Sequence, residues 1–276
     1  MENTAPAVQP LRTRVFSHPV VRIVAGIACV VVPLVATMAL AQNLVPKELR
    51  VAWPYLLAAA LCLAGYQLFA RRVEHRTPDE IAPHGAGLLR GLGIGAALVL
   101  AVSGLLLAAG AFTVTGSQHW SVMLKPLPEQ VMVAIMEELL FRAVLFRITE
   151  QRWGTRTALV VNVLLFALAH LPNEHVSALG VLNTGVAALG FCAAWMLTRN
   201  LWLPVGLHLA WNYLFDGVIG VPVSGHAARG WLQVQTQGPE WLSGGAYGVE
   251  ASAATLLVWG AAAAWMLRGR PAATAR

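Results

Sequence analysis

The chain has 276 residues, of which 57% are hydrophobic and only 12% are charged. A soluble domain carries about 25% charged residues, so a chain this apolar cannot cover its surface with polar groups and must face lipid. The formal charge of +6 comes from basic residues in short loops between apolar runs. That distribution sets the orientation of membrane proteins and argues against a nucleic-acid partner.

Apolar segments recur along the whole chain. A spanning helix needs about 20 mostly apolar residues, and helices satisfy every backbone polar group within lipid. The predicted spans are residues 20–41, 51–70, 91–113, 126–147, 156–171, 177–198, 201–219 and 249–267. The fifth is short because the Leu171-Pro172 step stops a helix. We therefore predict an all-α, polytopic membrane bundle of about eight transmembrane helices over residues 20–267.

The loops and tails predict the orientation. Arginines are concentrated in the N-terminal tail (1–19), within and on both sides of the linker 73–87, after the fourth and sixth spans, and in the C-terminal tail (268–276). The alternate loops contain fewer of them. Positively charged loops stay in the cytoplasm, so both tails are predicted to be cytoplasmic. The Ala- and Arg-rich composition favours a bacterial inner membrane, and the first apolar run is too long for a secretory signal peptide. The pattern leaves the role of the loop 220–248 open.

Six of the polar side chains inside the predicted spans are grouped in three short segments, and groups of this kind usually face the protein interior or a water-filled cavity. They are Glu137, Glu138 and Arg142 in the fourth span, His170 at the end of the fifth, and His208 and Asn212 in the seventh. Glu138 and Arg142 are four residues apart and are predicted to pair on one helix face. Glu137 lies about 100° around that helix, so its carboxylate is left available for chemistry.

If the three spans converge, these side chains form a hydrolytic set. A carboxylate and one imidazole of this set can take a proton from water, and the second imidazole with the amide can donate hydrogen bonds to the oxyanion that forms when water attacks a carbonyl. Glu137, His170 and His208 are also a zinc-type set, because two histidines and one glutamate leave a fourth position for water. The sequence has no H-E-x-x-H signature, and both interpretations stay open.

The motifs Glu137-Glu138-x-x-x-Arg142, Phe166-x-x-x-His170 and His208-x-x-x-Asn212 resemble, in this order, those of the CPBP family of intramembrane proteases. That family includes the type II CAAX prenyl endopeptidases and bacterial immunity-type relatives. The resemblance covers about residues 125–217. It implies an all-helical membrane endopeptidase in which Glu137 and His170 activate water, His208 and Asn212 form the oxyanion hole, and Glu138 and Arg142 are supporting residues. The family is described both as metalloproteases and as glutamate-dependent proteases, so the resemblance leaves zinc open.

We therefore predict an endopeptidase that hydrolyses a peptide bond of a membrane-associated protein or peptide by direct water attack, since no Ser or Cys lies in the motif set. Two other classes are a non-catalytic membrane scaffold or immunity-type binding protein with the same fold, and a transporter or proton relay. The substrate and the oligomeric state stay open. Outside the motifs, Asp216 is a candidate for the mouth of the site, and Asn162 and Asn183 are predicted to pack helices.

Overall fold

The computed structural model describes residues 18–269, and its architecture is helical. The long helices are α1 (Pro19–Leu44), α2 (Trp53–Arg72), α3 (Gly85–Ala108), α4 (Leu127–Glu138), α5 (Arg147–Ala169), α6 (Ala178–Thr198), α7 (Trp202–Tyr213) and α8 (Ala253–Arg268). Two of them continue as π-helical segments, α4 into Leu139–Phe146 and α7 into Leu214–Ile219. The predicted tails 1–19 and 268–276 lie mostly outside the described residues.

Four helices of the described residues are long and apolar enough to cross a membrane: α1, α2, α3 and α6. Helix α8 is apolar but shorter. An all-helical membrane protein fits this arrangement, whereas the predicted count of eight spans is not confirmed. Helix α5 is not among these four, and Gly154, with φ 82° and ψ 167°, divides it near its start.

The structure corrects two predicted boundaries. The third helix runs over Gly85–Ala108 rather than 91–113, because its glycine-rich first turns are helical. Its predicted last residues instead begin β1 (Phe112–Ser117), which pairs antiparallel with β2 (Leu232–Thr236) through an irregular register at Val114/Gly116. The all-α prediction missed this two-stranded sheet, although both strands alternate apolar and polar residues (Phe-Thr-Val-Thr and Leu-Gln-Val-Gln); the search for long apolar runs passed over these short alternating segments.

Two hydrophobic clusters fill the described bundle. One surrounds Tyr66, Phe69 and Phe146, and the other includes Phe191 and Trp259. Many large aliphatic side chains outside these clusters are exposed, as a surface that faces lipid requires.

Helices α3 and α7 approach each other at two glycines. A Cβ atom added at Gly91 would lie 2.2 Å from the Leu203 carbonyl oxygen, and one at Gly206 would lie 2.4 Å from the Leu88 carbonyl oxygen. The two backbones are therefore in direct contact, as small residues permit in membrane bundles. This contact fixes α7, which carries His208, against the bundle.

A buried charge cluster ties the start of α1 to the end of α2 and the start of α5. Glu74 pairs with Arg22, Arg76 and Arg147, and Glu80 pairs with Arg76. Burial works against ionisation of Glu74, but the charge of Arg147 and the hydrogen bonds from Arg22 and Arg147 outweigh it, so the pKa of Glu74 is lowered. The carboxylates therefore stay ionised at this end of the bundle.

Candidate active site

A cavity of about 590 Å³ lies between the two hydrophobic clusters. All four residues predicted to be catalytic line it: Glu137 from α4, His170 from the end of α5, and His208 and Asn212 from α7. The three spans thus converge as the sequence analysis required. The predicted supporting residues Glu138 and Arg142 lie behind the cavity wall and are fully buried.

Glu138 and Arg142 form the ion pair that their spacing predicts. Nη1 of Arg142 lies 3.1 Å from Oε1 of Glu138, and both side chains are 0% exposed. The helix changes from α to π geometry directly after Glu138. A π-helical segment inside a helix is rare and occurs frequently at functional sites.

Arg142 is also enclosed by aromatic rings, a feature that the motif spacing alone did not reveal. Its guanidinium carbon lies 4.8 Å from the ring centre of Phe166, 4.9 Å from that of Phe191 and 5.8 Å from that of Phe141. Cations over aromatic faces are attracted electrostatically, most strongly where water is excluded. The rings and Glu138 together compensate a buried cation that would otherwise be costly.

Glu138 also contacts His208, a bond that joins the first motif to the third. Nδ1 of His208 lies 2.9 Å from Oε1 of Glu138. Since an ionised carboxylate only accepts hydrogen bonds, Nδ1 carries the proton and Nε2 is left to face the cavity. The imidazole is stacked on Phe191, with ring centres 4.7 Å apart, so both its position and its orientation are fixed.

Glu137 is the carboxylate that faces the cavity. Its side chain is 19% exposed, and Oε2 lies 3.9 Å from Nε2 of His208. Oε2 is buried and makes no hydrogen bond with the described part of the protein. An ionised carboxylate in such a position can accept a hydrogen bond from a water molecule or substrate in the cavity.

His170 and Asn212 complete the predicted set. His170 follows the last residue of α5, and its Nδ1 donates to the carbonyl oxygen of Phe166 over 2.7 Å, which leaves Nε2 free to accept a proton. The imidazole packs on Phe166, with ring centres 4.6 Å apart. Asn212 lies one turn beyond His208 on α7 and is almost buried. Each side chain therefore presents polar atoms to one space.

The zinc interpretation needs three protein ligands around one point. Among residues 18–269, no group of three or more His, Cys, Asp or Glu side chains is arranged to hold a metal ion. Nε2 of His208 and Oε2 of Glu137 face each other, but His170 does not join them as a third ligand. The side chains as placed do not fit a three-ligand zinc centre, and no step below is routed through a metal.

A second set of polar residues lies at the mouth of the cavity. Nε2 of Gln130 donates to Oδ2 of Asp216 over 2.9 Å, and Nη2 of Arg229 lies 2.5 Å from the same oxygen. Arg229 also pairs with Glu129. Burial works against the charge of Arg229, but its hydrogen bonds with Asp216 and Glu129 outweigh it and raise the pKa of Arg229. Asp216 thus lies at the mouth, where it ties α4 to the loop after α7.

The loop 220–248 forms part of the cavity wall, which answers the question that its sequence left open. Val223, Ser224, His226 and Ala227 line the cavity. The Glu250 carboxylate holds this wall, because it accepts hydrogen bonds from the Ser224 backbone (2.6 Å) and hydroxyl (2.5 Å) and from Trp211 Nε1 (2.9 Å). Glu250 was missed by the sequence analysis, although an acidic residue next to an apolar helix is a usable signal.

The two asparagines outside the motifs have packing roles, as predicted. Asn183 donates to the carbonyl oxygens of Glu250 and Ser252, over 2.7 Å and 2.9 Å. Asn162 donates to the carbonyl oxygen of Phe141 over 2.6 Å. Both side chains join separate segments of the chain around the site.

Fold and cavity together define a helical membrane protein with a hydrolase-type set of carboxylate, imidazole and amide groups in its interior. Residues 119–214, about a third of the chain, match the family described as Rce1-like, type II CAAX prenyl endopeptidase. This segment contains all three motifs, so the predicted resemblance to the CPBP family is confirmed there, and the family implies a protease. No curated protein and no solved structure matches the chain.

Proposed function

We propose that the protein is an intramembrane endopeptidase that hydrolyses a peptide bond of a membrane-associated protein or peptide. One observation carries the proposal: Glu137, His170, His208 and Asn212, from three helices, line one cavity large enough for a peptide segment and water. Ligand sites in proteins have volumes of about 300–1,000 Å³, so this cavity has the size of a binding site rather than of a packing defect.

Glu137 and His170 activate the water in this proposal. Glu137 has a carboxylate oxygen without a protein partner, and Nε2 of His170 is free to accept because Nδ1 donates to Phe166. A water between them gives a proton to one of these bases as its oxygen attacks the carbonyl carbon. The same proton then passes to the leaving amine as the C–N bond breaks, so the products are an amine and a carboxylic acid, which ionises by losing its own proton.

His208 and Asn212 stabilise the oxyanion. The Nδ1–Glu138 hydrogen bond orients the His208 ring, and a carboxylate in this position supports an imidazolium whose Nε2–H donates to developing negative charge. The Asn212 amide adds a second donor. Three hydroxyl side chains also line the cavity, and those of Thr184, Ser224 and Thr255 donate to the Gly180 carbonyl oxygen, the Glu250 carboxylate and the Val249 carbonyl oxygen. Since the three motifs contain no hydroxyl side chain, the proposal takes water as the nucleophile.

The test compares purified wild-type protein with Glu137→Gln and with the matched control Glu240→Gln in the cleavage of a quenched fluorescent peptide. Glu240 carries the same side chain but is exposed, away from the cavity. We expect Glu137→Gln to lower kcat by at least about 10²-fold, since a positioned general base contributes roughly 10²–10⁴. Circular dichroism verifies that both variants stay folded. Wild-type turnover in Glu137→Gln would refute the proposal and favour a non-catalytic binding protein.

A further inference from the structure

The bundle has two ends of different charge. At the first end, which we call the arginine face, Glu74 and Glu80 pair with arginines, Arg199 pairs with Glu150, and the Leu201 amide donates to the Glu80 carbonyl oxygen. These contacts bring together the start of α1, the end of α2, the start of α5 and the connection from α6 to α7. The following basic residues lie at this face: Arg22, Arg71, Arg72, Arg76, Arg90, Arg147, Arg152, Arg156, Arg199 and Arg268.

The opposite end, which we call the cavity face, is poor in cations. Among the described residues its basic side chains are Lys47, Arg50, Lys125 and Arg229. Its acidic side chains outnumber them and are Glu48, Glu129, Glu174, Asp216, Glu240 and Glu250. The arginine face has the reverse balance, with ten arginines against Glu74, Asp79, Glu80 and Glu150. All the connecting loops are short enough for this bias to determine orientation.

The cavity opens at the cavity face. Its rim consists of Glu129 at the start of α4, Asn173 after α5, and Asp216, Arg229 and Glu250 after α7. From this rim the cavity extends to Glu137 and His208 near mid-bundle. No described residue of the arginine face lines it. On the far side of Glu137, the Glu138–Arg142 pair and its aromatic rings close the route to the arginine face.

Loops rich in Lys and Arg remain in the cytoplasm, so the arginine face is the cytoplasmic one. We propose that the catalytic cavity opens on the opposite, extracytoplasmic side of the membrane and takes polypeptide segments that are presented there. The substrate half of this inference rests on the endopeptidase function proposed above. A prenylated C-terminus exposed only to the cytoplasm would not reach this cavity, so the substrate class differs from the one that the family description names.

The first experiment measures the sidedness directly. Gln235→Cys places a thiol on exposed β2 at the cavity face, and Thr77→Cys places one at an exposed position of the arginine face. The parent protein carries Cys29→Ala, because Cys62 and Cys192 are buried whereas Cys29 is only partly so. We expect a membrane-impermeant maleimide to label Gln235→Cys in intact cells and Thr77→Cys only after the membrane is permeabilised. The reverse pattern, or equal labelling of both, would overturn the inference.

The second experiment follows cleavage of a membrane-impermeant quenched peptide by right-side-out and inside-out membrane vesicles. We expect cleavage by the right-side-out preparation, and its loss in Glu137→Gln. Cleavage only by inside-out vesicles would overturn the sidedness and leave the endopeptidase function standing. Absence of cleavage in both preparations, with the expected labelling pattern, would refute the endopeptidase function and the substrate half of the inference, while the opening of the cavity would stand.

Discussion

Glu138 contacts both Arg142 and His208, so its replacement has two separable consequences. In Glu138→Gln, the Arg142 guanidinium loses its carboxylate in a fully buried position. Removing one partner of a buried ion pair costs about 3–5 kcal/mol. We expect a loss near the lower end of that range, because the rings of Phe166 and Phe191 still face the cation. Thermal unfolding in detergent, followed by circular dichroism, measures this loss of stability.

The double variant Glu138→Gln/Arg142→Met separates stability from catalysis. It removes both charges, and a methionine sulfur suits the aromatic surroundings of Arg142. Because neither Gln nor Met is charged, the double variant leaves no uncompensated charge in the interior, so the melting temperature should return towards the wild-type value. Turnover should not return, because His208 has lost the carboxylate that orients it.

In metal sites, loss of the group that orients a ligating histidine costs about 10–100-fold in activity, and we expect a decrease of the same order in both Glu138→Gln and the double variant, because an imidazole is likewise left without its carboxylate. The assay is peptide cleavage at saturating substrate, normalised to folded protein. The single variant Arg142→Met completes the double-mutant cycle with Glu138→Gln and the double variant, and it should also destabilise the protein. A double variant with wild-type kcat would refute the reasoning, since Glu138 would then serve only to neutralise Arg142.

Three further outcomes are expected. Peptide cleavage should persist in excess chelator, because no third ligand joins Glu137 and His208; chelator-sensitive cleavage restored by zinc would contradict this. Ion pairs hold the pKa of Glu74 below its ordinary value of 4.5, so their stabilisation is complete above that pH and is lost as the pH falls through the lower folded pKa. Melting temperatures recorded below pH 4.5 should therefore fall more steeply for wild type than for Glu74→Gln, and equal slopes would count against the cluster. Gly91→Ala should destabilise the protein by about 1–3 kcal/mol through overpacking, whereas Gly93→Ala, with open space around the added methyl group, should be neutral or slightly stabilising; similar unfolding curves for both would contradict the close contact of α3 with α7.

The sequence predicted the parts of the site that depend on spacing within one helix. The Glu138–Arg142 pair follows from a four-residue interval, and the same interval puts His208 and Asn212 on one face of α7. The bond between Glu138 and His208 joins residues 70 positions apart and depends on how α4 packs against α7. No periodicity encodes that packing, so His208 was assigned to the oxyanion without its buried carboxylate.

In the fold, too, the sequence predicted local features but not those that depend on packing between segments. Apolar length located the helices, since lipid imposes a minimum span, but it could not place the start of α3 among glycines or detect the short sheet of β1 and β2. Glu250 beside an apolar helix was a usable signal, but the cavity wall that it holds at Ser224 was not predicted. Its geometry arises from side-chain contacts with Trp211, and a loop rich in glycine carries no pattern that specifies such contacts.

Two adjacent glutamates with different surroundings explain how the site combines a fixed charge with a reactive one. Glu138 is fully buried and bonded to Arg142 and His208, so its charge is compensated and its position is fixed. Glu137, one residue earlier, turns towards the cavity, and one of its oxygens has no protein partner. Carboxylates whose environments differ in this way take different roles in one reaction. In the proposed mechanism the motif therefore needs both glutamates: Glu138 orients the imidazole that would stabilise the oxyanion, and Glu137 would act on the water.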